Sequence, residues 1–454
     1  MGIFMEIAIL DGTVVTMGTK GIIREGAVVI EDGVITDIGR SDEIKRKYPR
    51  YERIDARGKV VMPGLINAHQ HMAMSLLRGY ADDYPLKEWL ERWVWPVERH
   101  MTGYDIYIGS LLTAIESIMS GTTTINTMYH YMEDYNEARA IAESGLRGVV
   151  GHVCFSWRRE RDIRSLRDLA AKWHGGANGR IRVSVDPHAP YTVDPEYMKG
   201  LRATTEELND RYARGIGPII WHIHLAETKD EAQKIRDSFN IRVEDSVVEY
   251  VDSLGILGPD VLAAHCVHLG ERDIEILGLK GVKVAHNPVS NLKLASGISP
   301  VPDMIRAGVI VALGTDSPCS NNSADMFETM KLAALLHKGV NGDPTLLPAE
   351  AVLRMATIDG ARALLWDDQI GSIEVGKRAD IIIVDFRRPH LKPVYSEISH
   401  LVYAAKASDV ETVVADGQII MEDREIRTIN VGWVLEEVEK ACERLLKRVH
   451  EMEE

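Results

Sequence analysis

VVMPGLINAHQH, residues 60–71, reads for nine residues as a buried strand and then ends on two histidines separated by one residue. Similar short apolar runs recur downstream, each followed by a helix-like segment: TTTINTMYH (122–130), RGVVGHVCF (147–155), IRVSVDPH (181–188), PIIWHIHLAE (218–227), VLAAHCVH (261–268), VKVAHNP (282–288) and VIVALGTD (309–316). With PGLINAHQH (63–71) they number eight, and eight strands alternating with helices predict an α/β fold, a (β/α)8 TIM barrel whose strands are covered on both faces. Barrel enzymes place their chemistry at the carboxyl ends of the strands. His69, His71, His188, His222, His224, His265, His286 and Asp316 are therefore expected along one rim.

On a strand, side chains at i and i+2 share a face, so His69 and His71 can offer two imidazole nitrogens to one metal while Gln70 points away. His224 and Asp316 can complete a His3Asp site, a nitrogen and oxygen set suited to zinc or iron(II) with a position left for water. Plainer readings stand beside this one. A lone HxH pair also fits two hydrogen-bonded histidines, Asp316 before Ser-Pro is a good helix cap, and His222 shares a face with His224, so either can be the ligand. Trp89, Trp93 and Trp95 in WLERWVWPVE fit core packing by helical spacing, with an aromatic floor for a ligand as the alternative.

Both ends of the chain differ from the middle. Residues 5–56 carry short apolar runs broken at Asp11-Gly12 and Asp32-Gly33, a hairpin signal, and the same texture returns in ADIIIVDF (379–386) and around Asp416-Gly417. The two ends together predict a small β-sandwich, giving residues 1–60 plus 367–430 as one composite domain and 61–366 as the barrel. A charged, helix-periodic segment, 431–454, follows as an amphipathic surface helix.

The 454 residues carry 53 basic and 68 acidic side chains, net −15, which disfavours nucleic acid or an anionic membrane surface as partner and leaves small molecules. The four cysteines show no CxxC spacing, which argues against a thiolate zinc site or a disulfide framework. No apolar stretch reaches membrane-span length, and MGIFMEIAILDG meets acidic residues too early for a signal peptide. A cytoplasmic protein is the expectation.

PGLINAHQHMAMSLLRGYADD, HAPYT, HIHLAET, AHCVHL, HNPVSNLKLASG, GTDSPCSNN and GSIEVGKRADIIIVD span nearly the whole chain. With them the sequence resembles the amidohydrolase superfamily, within it the branch of 5′-methylthioadenosine/S-adenosylhomocysteine deaminases, 5′-deoxyadenosine deaminases and triazine hydrolases. The resemblance implies that His69, His71, His224 and Asp316 hold one divalent ion per chain, Zn2+ or alternatively Fe2+. It also implies that Glu227 handles the substrate proton, His265 lies beside the activated water, His188 binds substrate, and Glu98, 27 residues after His71, contacts a sugar. A homo-oligomer is the implied assembly.

The activity implied is hydrolytic deamination of an adenosine-type nucleoside, in which a bound metal supplies hydroxide at neutral pH by lowering the pKa of water, with Asp316 and His265 placed to take its proton. Release of chloride or an amine from a triazine, or deamination of a pterin, guanine or cytosine-like ring, is the alternative within the branch. A noncatalytic barrel is expected to lack a ligand, and none is missing. The cytidine-type zinc deaminases are set aside, because Pro318-Cys319 is followed by Ser-Asn-Asn and the P-C-x-x-C signature is absent. Each role has a plainer counterpart: Glu227 as a first-turn helix glutamate, Glu98 as a solvated glutamate near Arg92 or Arg99, and His188 as a hydrogen-bonded rim histidine. His268 and His286 read as structural, and Asn126, Asn287 and Asn291 as candidate support for the site.

Overall fold

A computed structural model describes residues 6–453. Residues 1–5, the start of the run MGIFMEIAILDG, and Glu454 lie outside the described residues. The middle of the chain forms one eight-stranded sheet whose strands follow each other in chain order: Leu65–Gln70, Thr122–Tyr129, Arg147–Cys154, Ile181–Pro187, Ile220–Leu225, Val261–His265, Lys283–His286 and Ile310–Leu313. Neighbouring strands pair in parallel. All their residues are buried except the half-buried Ile310, because helices cover the outside and side chains fill the inside.

The ring closes between its first and eighth strands, and that closure builds part of the site. The Asp316 N–H donates to the His69 carbonyl at 2.9 Å. Asn67 fixes the same seam, its Nδ2 donating to Thr315 Oγ1 at 2.7 Å and its Oδ1 accepting from Thr315 N at 3.1 Å. Gly314 permits the approach, since a Cβ there would lie 2.4 Å from Asn287 Oδ1 and 2.9 Å from the His69 backbone oxygen.

The run 60–71 is two strands rather than one. Lys59–Pro63 pairs with Ile381–Asp385 and Ile7–Val15 in a second sheet, and Gly64 then turns the chain into the barrel strand Leu65–Gln70. Both halves are buried and apolar, so composition alone does not reveal the change of sheet. The second sheet has nine strands drawn from both chain ends and is mostly antiparallel, with parallel pairs where Ile7–Val15 meets Glu52–Asp55 and Lys59–Pro63. It curls so that Ile9, Val28, Ile35, Ile381 and Val414 share one core cluster.

Arg147, at the start of the third barrel strand, ties the two sheets together. Its guanidinium reaches Asp380 at 2.8 Å and Asp416 at 2.9 Å in a fully buried cluster, where an unpaired charge would be strongly destabilising. The last helix, Val431–Glu453, is amphipathic as its periodicity indicates: Val434, Ala441, Leu445 and Val449 are buried while Trp433, Leu435 and Leu446 are exposed. Among the described residues no helix is long and apolar enough to cross a membrane.

Candidate active site

His69 and His71 come from the end of the first barrel strand, His224 from the fifth, His265 from the sixth, and Asp316 follows the eighth. The fold brings all five together. His69 Nε2 and His71 Nε2 lie 3.3 and 3.1 Å from Asp316 Oδ1, and the His69 ring centroid is 4.8, 5.0 and 5.4 Å from those of His71, His224 and His265. Ligand atoms of His69, His224 and His265, and likewise of His69, His71 and Asp316, lie within 4.8 Å of one another.

The hydrogen bonds of two of these histidines dictate their tautomers. His71 Nδ1 faces the Met128 carbonyl at 3.1 Å and His224 Nδ1 faces the His188 carbonyl at 2.7 Å. A carbonyl only accepts, so each Nδ1 carries the proton and each Nε2 is left as a lone-pair donor, the form a metal needs. His69 Nε2 is buried without a hydrogen-bond partner. An orphaned imidazole nitrogen among clustered nitrogen and oxygen donors fits a divalent cation. Burial also holds His69 and His224 well below the usual histidine pKa, in the neutral form a ligand requires. For Asp316 burial acts upward, but the imidazoles of His69 and His71 beside it outweigh that and hold the carboxyl well down. Its Oδ2 accepts from the hydroxyls of Ser290 at 2.6 Å and Ser320 at 3.0 Å.

Glu227 lies 4.0 Å from His265 Nδ1. Burial pushes its carboxyl pKa up. His265 is shifted up as well: burial acts downward, and the charges of Glu227 and Asp316 outweigh it. Asn291 Oδ1 holds His265 Nδ1 at 2.8 Å, and Asn287 Nδ2 lies 3.4 Å from the same atom. The helix after the fifth strand begins at Glu231, so the first-turn position belongs to Glu231 and Glu227 precedes it. The Glu231 carboxylate accepts from the N–H groups of Ala226 at 3.2 Å and Glu227 at 2.9 Å, which clamps the HLAE turn. Four strand ends of this rim carry residues of positive φ: Tyr129, Ala226, His265 and Asp316, at 134, 51, 74 and 62°. Such conformations cost of order 1–3 kcal/mol each in non-glycine residues and cluster where function requires them.

These groups open into a cavity of about 480 Å3, its open mouth included. Glu98 also lines it, and pairs with neither Arg92 nor Arg99. Glu98 Oε1 meets His130 Nε2 at 3.0 Å, while Oε2 is buried without a partner. His188 stacks on Phe155 with centroids 4.8 Å apart, and burial lowers its pKa to about 3. Its Nδ1 meets Thr192 Oγ1 at 3.0 Å. Trp89 is both buried and part of this lining, whereas Trp95 lines a second chamber of about 460 Å3 that shares Glu98 and Tyr129 with the first. His222 lies deeper, its Nε2 2.9 Å from His69 Nδ1, so it does not compete with His224 for the ligand position. His286 leaves the rim: it packs outward against His337 at 3.4 Å. His268 Nε2 is bound to the Ser296 carbonyl.

Sequence reasoning missed Glu137, which precedes no strand and sits in no motif. It is fully buried, and its carboxylate accepts from Thr127 Oγ1 at 3.0 Å and from the Ala73 N–H at 3.3 Å, bracing the turn after His71. Burial raises its pKa from 4.5 to about 8. A carboxyl with a folded pKa above its unfolded one contributes stability that is complete below pH 4.5 and is lost as pH rises through 8. Glu137→Gln, which cannot ionise, is therefore expected to gain in Tm relative to the parent across that window, read from melts at several pH values. A Tm difference independent of pH would contradict the burial argument.

The family model described as "Amidohydrolase family" matches residues 60–420, and one described as "Imidazolonepropionase-like composite domain, bacteria" matches residues 26–50. The chain is 45% identical to the 5′-deoxyadenosine deaminase of Methanosarcina mazei, over 98% of this chain and 99% of that one. It is also 45% identical to the 5-methylthioadenosine/S-adenosylhomocysteine deaminase of Desulforudis audaxviator, over 93% and 96%. The crystal structure of an adenosine deaminase from Xanthomonas campestris with bound zinc superposes with a TM-score of 0.86 at 32% identity, over 98% and 99% of the two chains.

Proposed function

Because the chain belongs to the amidohydrolase family, we propose that it is a metal-dependent hydrolytic deaminase of adenosine-type nucleosides, releasing ammonia and the inosine-type product. One observation carries the nucleoside reading. One cavity is lined by His71, His224 and Asp316, which cluster with the buried His69, and by Glu98, whose Oε2 has no hydrogen-bond partner. The nitrogen-rich donor set suits zinc, with iron(II) as the second ion it accommodates.

His69, His71, His224 and Asp316 would hold the ion, which when bound supplies Lewis-acid activation of water at neutral pH. Asp316 and His265 flank the nucleophile and take its proton as it adds to the ring carbon bearing the amine. Glu227, kept protonated more readily by its burial, gives a proton to the adjacent ring nitrogen, which makes that carbon electrophilic. Protonation of the amine through the same acidic groups then lets it leave as ammonia. His188 forms part of the substrate wall. Glu98 Oε2, an acceptor without a donor, receives the ribose hydroxyls, and the second chamber leaves room for a 5′ substituent. The working form is expected to be a cytoplasmic homo-oligomer acting on a free small molecule.

Glu98→Ala tests the sugar contact. It is expected to lower kcat/KM for adenosine, 5′-deoxyadenosine, methylthioadenosine and S-adenosylhomocysteine by roughly 10- to 150-fold, the equivalent of one charge-assisted hydrogen bond at about 1.5–3 kcal/mol, and to leave free adenine almost untouched. The assay is the ultraviolet shift from adenine to hypoxanthine. Equal losses on nucleoside and free base, or a parent enzyme that prefers a triazine, pterin or guanine, would overturn the nucleoside reading.

A further inference from the structure

Two of the three histidines assigned to the metal have Nδ1 against a backbone carbonyl, which forces the useful tautomer. His69 does not. Its Nδ1 faces another imidazole, His222 Nε2, at 2.9 Å, and an imidazole nitrogen can donate or accept. Two proton registers are therefore open along this chain of rings. In one, His69 Nδ1 donates to His222 Nε2, His222 carries its proton on Nδ1, and His69 Nε2 is free to bind a cation. In the other, His222 Nε2 donates to His69 Nδ1, and the His69 proton sits on Nε2, where it blocks the site.

The groups around His222 Nδ1 decide between them, and they disagree. Asn126 Nδ2 lies 3.3 Å away and already donates to the Ala68 carbonyl at 2.8 Å. A second donor facing Nδ1 favours the blocking register, in which Nδ1 accepts. Asp186 Oδ2 lies 3.7 Å from the same nitrogen, and a carboxylate, which only accepts, favours a proton on Nδ1. Asp186 is fully buried, and neither of its carboxylate oxygens has a hydrogen-bond partner. A buried carboxylate with no hydrogen bond is costly to maintain. The neighbouring strand nevertheless keeps a place for it: a Cβ at Gly151 would lie 1.7 Å from Asp186 Oδ2, so residue 151 carries no side chain.

We propose that Asp186, acting through His222, is a positioning residue that selects the proton register of His69 and thereby sets the affinity of the chain for its divalent ion. The proposal rests on the reading of His69 as a ligand. It makes Asp186 and His222 the counterpart, for this one ligand, of the backbone carbonyls that serve His71 and His224. Outer groups of this kind typically govern 10–100-fold in metal affinity.

The test is zinc affinity of the full chain, measured by competition with a chromogenic chelator, with the Tm of the metal-free protein recorded for every variant. Asp186→Asn and His222→Leu are each expected to weaken zinc binding by about 10–100-fold. His222→Gln is expected to stay within about threefold of the parent, because its amide oxygen can accept from His69 Nδ1 without help from residue 186. In the His222→Gln background, Asp186→Asn is expected to have no further effect, since the partner it acts through is gone. Parent-like affinity in Asp186→Asn, equal losses in both His222 variants, or an Asp186→Asn loss that persists beside His222→Gln would each overturn the proposal. Should Asp186→Asn fail to fold, the contrast between the two His222 variants carries the test. Failure of the ligand reading is separable, because only then does His71→Ala bind zinc as tightly as the parent.

Discussion

Glu227→Gln is expected to keep its metal and its nucleoside and to lose turnover by roughly 100-fold or more, the usual range for a general acid–base group. The carboxyl is buried, 4.0 Å from His265 Nδ1, and its pKa is raised by desolvation, so it holds a proton more readily than an exposed glutamate. Glutamine has the same size and retains a hydrogen-bonding oxygen, but it cannot move a proton. The Glu231 clamp acts on the backbone N–H of residue 227, so the turn should survive the exchange. Elemental analysis, binding of the unreacted nucleoside and single-turnover rates separate the three functions. Near-parent turnover would make Glu227 a structural residue of the turn and move the proton chemistry to His265 and Asp316.

The barrel was legible because its strands are buried on both faces and so read as apolar runs that stop at polar residues. The rim followed from the spacing of those stops: His69 with His71, HIHLAE, and Asp316 after VIVALGT. Other features depend on contacts between distant residues. Lys59–Pro63 and Leu65–Gln70 are equally apolar, and only the partners at Ile381–Asp385 and Thr122–Tyr129 distinguish their sheets. The orientation of His286 toward His337, 51 residues away, is set by an outer helix and not by its own strand. Glu98 had a plain reading as a surface glutamate, and its half-buried place beside His130 depends on how the helix Trp95–Glu98 packs. Glu231 and Glu137 look like ordinary helix-start glutamates. Only in the fold does each accept backbone hydrogen bonds beside a site residue.

His71→Ala should remove both metal and turnover while leaving a folded chain. His71 follows the last residue of its strand, and its Nδ1 bond to the Met128 carbonyl orients the ring without joining the barrel core. The rest of the seam does not depend on it: the His69 carbonyl still accepts from Asp316 N–H, Asn67 still pairs with Thr315, and Ser290 and Ser320 still hold Asp316. What the substitution removes is one of the two imidazole nitrogens that converge on Asp316 Oδ1, at 3.1 and 3.3 Å. The remaining His69, His224 and Asp316 are one donor short of the four-residue set that the fold brings together. Circular dichroism and Tm close to those of the metal-free parent, together with metal content near zero and turnover below detection, are the expected results. Added zinc should restore little activity, because the missing donor is part of the site itself. Full turnover in a preparation shown to be free of metal would remove the ion from the mechanism altogether, and with it the ligand roles of His69, His71 and His224.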